Sequence, residues 1–412
     1  MLLAEKQILW RISALCLGAA MPAMLFERTT LFVLVILGAL AGILATKGSS
    51  LRATAGLLKQ NPFVWLILAI MASFGVSSAL GINAAESLDK YGQLWIVLLA
   101  GLGVFIALRE MPGRHVEGMM TSMTVTTVIC CVIVLVDALS GNDRLGVFLH
   151  NNWFDTPYRL NFYTGALTVV LPFVWARMLM KRREGEPLAK MMFLPVLMLT
   201  LIALVVSGAR IGWAGALVAL SVFIAFIKWR HDVVFGIKHA LLTGLTLAIG
   251  FAGYIVSHGL SFFNQRIDLD AGPRGFGGGR GEIWQVAWAH SFDNPIFGIG
   301  LQGFRYLPEK VDFHPHSAPL QLLLETGLLG LGLVGVLAFL IMRAFYNYAK
   351  HTLYGAAALA SFCGFCVVSL ANTSIFNIWW VTFFVLLSLI GWRTGWASAR
   401  TPAMYDNAKG EM

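Results

Sequence analysis

Residues 319 to 342 read Pro319-Leu-Gln-Leu-Leu-Leu-Glu325-Thr-Gly327-Leu-Leu-Gly330-Leu-Gly-Leu-Val-Gly-Val-Leu-Ala-Phe-Leu-Ile-Met342, followed by Arg343. About 20 consecutive apolar residues suffice for a helix to cross the ~30 Å hydrocarbon core of a bilayer. Comparable runs lie on both sides, at 8 to 26, 30 to 46, 63 to 82, 92 to 108, 119 to 139, 159 to 179, 191 to 207, 211 to 227, 237 to 257, 353 to 371 and 375 to 392. The alternating pattern of a transmembrane barrel is absent, and helices are the other way to satisfy backbone groups in lipid. The expected fold is an all-α polytopic membrane protein of about twelve spans.

Composition agrees. The 412 residues are 58% hydrophobic and only 12% charged, whereas soluble chains average about 25% charged. That excludes a water-soluble globular enzyme. The 28 Phe and 13 Trp exclude disorder. A formal charge of +9 comes with no Lys/Arg block or nucleic-acid motif, so no nucleic-acid partner is expected.

In a membrane protein the basic excess encodes orientation. A cytoplasmic N-terminus puts Lys47, Arg52, Lys59, Arg109, Arg114, Lys181 to Arg183, Lys190, Lys228, Arg230, Lys238, Arg343 and Lys350 on the inside. Twelve spans then return the C-terminus to the same side. The first run, after Lys6 and Arg11, reads as a retained helix rather than a signal peptide. All five cysteines fall in apolar runs; Cys363-Gly-Phe-Cys366 has redox spacing but reads as packing at lipid depth.

The chain divides into spans one to nine (1–257), an outer loop domain (258–318), spans ten to twelve (319–392) and a tail (393–412). The loop carries Trp284, Trp288, Phe292, Ile296, Phe297, Phe304 and Tyr306, enough apolar surface to fold and dock. Gly281 to Phe292 has helical spacing, with Ile283, Val286, Ala287 and His290 or Phe292 near one face. Asn294-Pro295 and Gly298, Gly300 and Gly303 end it. A second outer loop, Ser140 to Tyr158, is polar and aromatic.

The sharpest local feature is His316-Ser317. Ser317 suits an N-cap and Pro319 a first helical turn, so span ten should begin here, with His316 just outside the helix's positive end. That is a setting for a neutral imidazole that accepts a proton. Glu325, nine positions along from His316, lies about half a turn round if the helix is regular and reads as a packing or structural partner within the bundle. His314 is near in sequence, but Pro315 constrains the backbone between them, so it reads as support.

His-Ser, nine residues, then Gly327-x-x-Gly330, at the junction of a large outer loop and a late helix, resembles the signature of the bacterial O-antigen ligase family. Ser207-Gly-Ala-Arg210, Arg280-Gly-Glu-Ile-Trp284 and Pro295-Ile-Phe-Gly298-Ile-Gly300 resemble further elements of the O-antigen ligase and polymerase superfamily. Many relatives carry Asn where Ser317 stands, which makes Ser317 a poor catalytic candidate. The resemblance implies a GT-C-like architecture in a bacterial inner membrane. It implies an undecaprenyl pyrophosphate-linked glycan as donor, a sugar hydroxyl of lipid A-core as acceptor, and chemistry at the periplasmic face.

A pyrophosphate-linked sugar already has a good leaving group. The protein must chiefly activate a hydroxyl and stabilise growing phosphate charge. On that reading His316 is the base and Arg210 and Arg280 hold pyrophosphate, since a guanidinium stays charged and binds phosphate bidentately. Arg210, at the tip of a two-helix hairpin, is costly in lipid unless paired or facing water; Arg280 could equally cap the loop helix or pair with Glu282 or Asp293. Arg274, among glycines, and Arg159, at the outer boundary, are further candidate substrate contacts beside His314. The glycines around Arg274 suit a flexible gate, and interfacial anchoring is the plainer role for Arg159.

Asp268-Leu-Asp270 has the spacing of a divalent-cation site, but the resemblance provides no support for it. The expected reaction uses no metal or other cofactor and inverts the sugar by direct displacement. An O-antigen polymerase and a protein O-oligosaccharyltransferase remain alternatives that differ in acceptor. A transporter or flippase is the alternative from another class; there ionisable groups, broken helices and repeats gather near the midplane, whereas here polar elaboration lies on one face.

Overall fold

The computed structural model describes residues 3–140, 156–207, 210–230, 280–309, 312–371 and 374–399. The ninth expected span at 237 to 257, Arg274, Asp268, Asp270, most of the second outer loop and the end of the tail lie outside them. Every regular element among the described residues is helical.

The α-helices are α1 (Leu3–Ala20), α2 (Arg28–Ala45), α3 (Gly48–Gln60), α4 (Pro62–Leu80), α5 (Ala84–Glu110), α6 (Gly113–Ser140) and α7 (Thr156–Arg183). They continue with α8 (Pro187–Val206), α9 (Arg210–Arg230), α10 (Arg280–His290), α11 (Ala318–Ala349), α12 (Leu353–Ser369) and α13 (Ile378–Ala399). Nine of them are long and apolar enough to cross a membrane; α1, with its charged residues, and the shorter α12 fall outside that measure. The chain is a multi-pass membrane protein, all-helical in its regular elements among the described residues. Eleven of the twelve expected spans coincide with described helices, many of which run past the apolar stretch at one or both ends.

One helix was not expected. α3 has no long apolar run, which is why a search for spans passes over it. It is tied down where Arg109 of α5 donates to the Thr54 hydroxyl at 3.1 Å. At the other end, α13 continues through the expected boundary at 393. Arg393 is buried there and donates to the carbonyls of Leu108 (2.6 Å) and Met111 (2.7 Å) at the end of α5. A cation at a helix C-terminus satisfies carbonyls the helix leaves without partners.

α7 is the central helix: 83% of its apolar stretch is buried, against 11% for α11. It packs against α6, α8, α9 and α12. Small residues allow the closest approaches, as lipid-phase packing requires. Gly364 of α12 lies against Thr168 of α7 and the Gly215 carbonyl of α9, where a Cβ would meet atoms at 3.0 and 3.1 Å.

α11 is broken. Gly327 has φ 65° and ψ −171°, well outside helical values. The break exposes backbone groups that lipid cannot satisfy, and the loop after α10 satisfies them. Leu328 and Leu329 donate to the carbonyls of Pro295 (2.8 Å) and Ile296 (3.2 Å). Ile299 and Gly300 donate in turn to those of Leu324 (3.0 Å) and Glu325 (3.1 Å). Gly298 and Gly300, at φ 73° and 94°, are required: a Cβ on Gly298 would fall on the peptide between Glu325 and Thr326. The expected Gly-x-Gly and Gly-x-x-Gly motifs are thus two sides of one joint.

Candidate active site

α10 ends in a turn and packs on this joint through Ile283 and Ala287, which share a small core with Ile299, Phe304, Leu307 and Leu324. The expected apolar face is correct at Ile283, Val286 and Ala287. Phe292 instead is 58% exposed. His290 points to carboxylates, with Nδ1 2.7 Å from Asp293 and Nε2 3.2 Å from Glu309. These partners raise the His290 pKa above its ordinary value, Asp293 contributing most.

The loop also docks on the α4–α5 hairpin. Ile82 donates to the Ile299 carbonyl (2.9 Å), Ser87 to that of Leu301 (2.8 Å) and Ser77 to that of Glu325 (2.5 Å). Glu325 is fully buried. Its Oε2 accepts from the Gln302 N–H (2.7 Å) and the Gln321 amide (3.1 Å). It holds loop to helix, as its expected packing role requires.

On this platform sits the turn 312–317. Ser317 is the N-cap of α11 by backbone position, with extended φ/ψ and Pro in the first turn, though its side chain makes no capping bond. His316 has φ 53°, a left-handed conformation that costs a residue with a Cβ about 1–2 kcal/mol. Two contacts hold the turn: the Trp284 indole of α10 donates to the Pro315 carbonyl (2.9 Å), and Gln321 N–H donates to the Ser317 carbonyl (2.8 Å). The left-handed residue returns its imidazole over the preceding chain, where Nε2 lies 3.2 Å from Asp312 Oδ2. The other carboxylate oxygen accepts from the Phe313 N–H at 2.5 Å.

A carboxylate only accepts, so in the neutral imidazole Nε2 carries the proton and Nδ1 the lone pair. The carboxylate thereby fixes both the tautomer and the orientation of the ring. His314 stacks edge-on against His316, ring centroids 4.1 Å apart. Burial pushes the His314 pKa down to about 4, with His316 and Arg305 acting in the same direction.

The other candidate residues among those described lie on three different helices. Arg280 is the first residue of α10, half-buried, on the helix whose Trp284 pins the histidine turn. Arg210 begins α9 and Arg159 lies in the first turn of α7, but the side chains of both lie outside the described residues. The chain on either side of Arg210 is anchored on α7: Thr164 donates to the Ser207 hydroxyl (2.6 Å), and Thr168 to the Gly212 carbonyl (3.0 Å).

Two residues were missed. Asp312 was not singled out, although an Asp-x-His-x-His alternation is visible in the sequence once the turn is known. Arg305 had no local signal, since its partner Glu86, 2.7 Å away, is remote in the chain. Arg305 is close enough to His314 and Lys90 to act on both electrostatically.

A multi-pass helical membrane protein with a carboxylate-held histidine docked beside a broken helix is the class that fold and site define. Residues 195–335 match the family described as O-antigen ligase, which bears out the resemblance read from the motifs. The matched segment contains Arg210, Arg274, Arg280, His314 and His316; Arg159 lies before it. A protein of Rickettsia conorii named as a candidate polysaccharide ligase is 22% identical over 324 residues, 74% of each chain. Likewise named proteins match over shorter stretches: one of Rickettsia typhi at 27% identity, over 34% of this chain and 37% of its own, and one of Rickettsia bellii at 26%, over 38% and 40%.

Proposed function

We propose that this protein is an O-antigen ligase of a bacterial inner membrane. It transfers a glycan from undecaprenyl pyrophosphate to a sugar hydroxyl of lipid A-core at the periplasmic face. The observation that carries this reading is the His316 turn: a strained residue with Asp312 on Nε2, at the start of the broken helix, inside the segment that matches the family.

The chemistry follows from the residues. The His316 Nδ1 lone pair accepts the proton of the acceptor hydroxyl as its oxygen attacks the anomeric carbon, while Asp312 stabilises the resulting imidazolium. The bond to pyrophosphate breaks, and Arg210 and Arg280 stabilise the charge left on phosphate. One base and a single displacement invert the anomeric centre. No step requires a metal. Arg274 and Arg159 are proposed as further contacts to the lipid-linked donor, and grooves between helices hold the polyprenyl tail.

His316→Ala should stop glycan attachment to lipid A-core in cells while lipid-linked polymer accumulates. Normally capped lipopolysaccharide in that strain would remove His316 from the role of base. Purified protein with both substrates separates the enzyme from a transporter, because only the enzyme produces joined glycan in detergent.

A further inference from the structure

Asp312, His314 and His316 place one ligand atom each within 4.8 Å of one another. All three are on the histidine turn, and none is fully exposed. Asp312 Oδ2 and His316 Nε2 are 3.2 Å apart. Adjacent corners of a tetrahedron with zinc-to-ligand bonds of ~2.0–2.1 Å are about 3.4 Å apart, so this pair is already near coordination spacing. A second observation points the same way. The His314 Nδ1 atom is buried and has no hydrogen-bond partner, and a buried nitrogen of that kind calls for a water or an ion.

We propose that Asp312, His314 and His316 form a site for a zinc-class divalent cation, and that an ion bound there switches the transfer reaction off. Two imidazoles and one carboxylate are a donor set that zinc favours over calcium or magnesium, which take oxygen ligands. The inhibitory sense follows from proton placement. A neutral imidazole has one proton and one lone pair. Metal on Nε2 displaces the proton to Nδ1, turning the proposed acceptor of the hydroxyl proton into a donor. Metal on Nδ1 takes the lone pair directly. Either way the base is lost, and the Asp312 carboxylate that orients it is engaged by the ion.

This inference rests on the ligase reading for its consequence but not for the site itself, so the experiment has two arms. In the first, the full-length protein in detergent, stripped with EDTA, is titrated with Zn2+ against a chelating dye and separately with Co2+. The expected result is one ion per chain with the visible absorption band of four-coordinate cobalt. His314→Gln and Asp312→Ala should each weaken binding by at least ~10-fold, since even outer-shell partners of a metal contribute 10–100-fold; a monodisperse elution profile shows that the variants fold. Binding by a D312A/H314Q/H316A protein equal to that of the parent would overturn the site.

In the second arm, glycan transfer is followed in the same protein. Transfer should proceed in EDTA, fall as the ion binds with the same midpoint, and recover on chelation. Full activity with the site occupied, or activity lost in EDTA and restored by Zn2+, would overturn the inhibitory assignment. If the stripped protein transfers nothing with or without Zn2+, the ligase reading fails along with the switch that depends on it, while the stoichiometry of the first arm still decides the site.

Discussion

At the scale of the residue, His316 joins a strained backbone to a chosen tautomer. The left-handed φ brings the ring over Asp312, and the carboxylate then decides which nitrogen bears the lone pair. Replacing His316 by Ala should lower kcat for transfer by about 10²–10⁴-fold, the usual worth of a positioned base. Asp312 acts through the histidine, so Asp312→Ala should lower kcat while leaving KM for the lipid-linked donor unchanged, with partial recovery in Asp312→Glu. A raised KM with unaltered kcat would instead make Asp312 a substrate contact. His316 and the start of its helix were legible because histidine, cap and proline are local signals. Asp312 was not, because its partnership depends on a φ value that no residue type announces at a histidine.

At the scale of the element, the joint between α11 and the preceding loop concentrates what can be broken. Gly298→Val adds a side chain where φ is positive and the peptide of Glu325 lies in contact. It should cost at least about 1–3 kcal/mol and show as a lower thermal unfolding midpoint in detergent, whereas Gly281→Ala, with open space around it, should not. An equal effect of the two would deny the joint its structural weight.

The clasp of His290 with Asp293 and Glu309 makes a pH prediction. Its folded-state pKa is raised, so its contribution is full below the unfolded value of about 6.5 and is lost as pH rises through the raised value. Proteolysis near residue 309 should therefore increase on going from pH 6 to pH 8.5, and His290→Gln should abolish that dependence. The glycines of the joint were legible as motifs, but not as partners of each other: the pairing of residues 295–300 with 324–329 is a three-dimensional fact. α3 escaped for the opposite reason, since a helix of mixed polarity offers no apolar run to count.

At the scale of the whole molecule, the apolar runs were readable because lipid permits few alternatives to the helix. Helix ends were less so. Arg393 reads as the start of a basic tail but lies buried against the carbonyls that close α5, a use of charge that composition does not reveal. The proposed orientation can be checked in a cysteine-free background. Glu309→Cys should react with a membrane-impermeant maleimide in cells with a permeable outer membrane, and Glu186→Cys only after the inner membrane is opened. The reverse pattern would invert the topology and put the histidine turn on the wrong face for the proposed acceptor.

The shared backbone bonds across the break in α11 also bear on how such proteins can be recombined. An outer loop exchanged between relatives at residue 318 would take the two sides of all four backbone hydrogen bonds of this joint from different proteins, whatever the fit of its side chains. The natural unit of exchange begins before Arg280, ends beyond Gly330, and must find a compatible α4–α5 hairpin in its host. Specificity for a new glycan would then have to be moved as a cassette of loop and half-helix together, with Ser77 to Ser87 as the surface that accepts it.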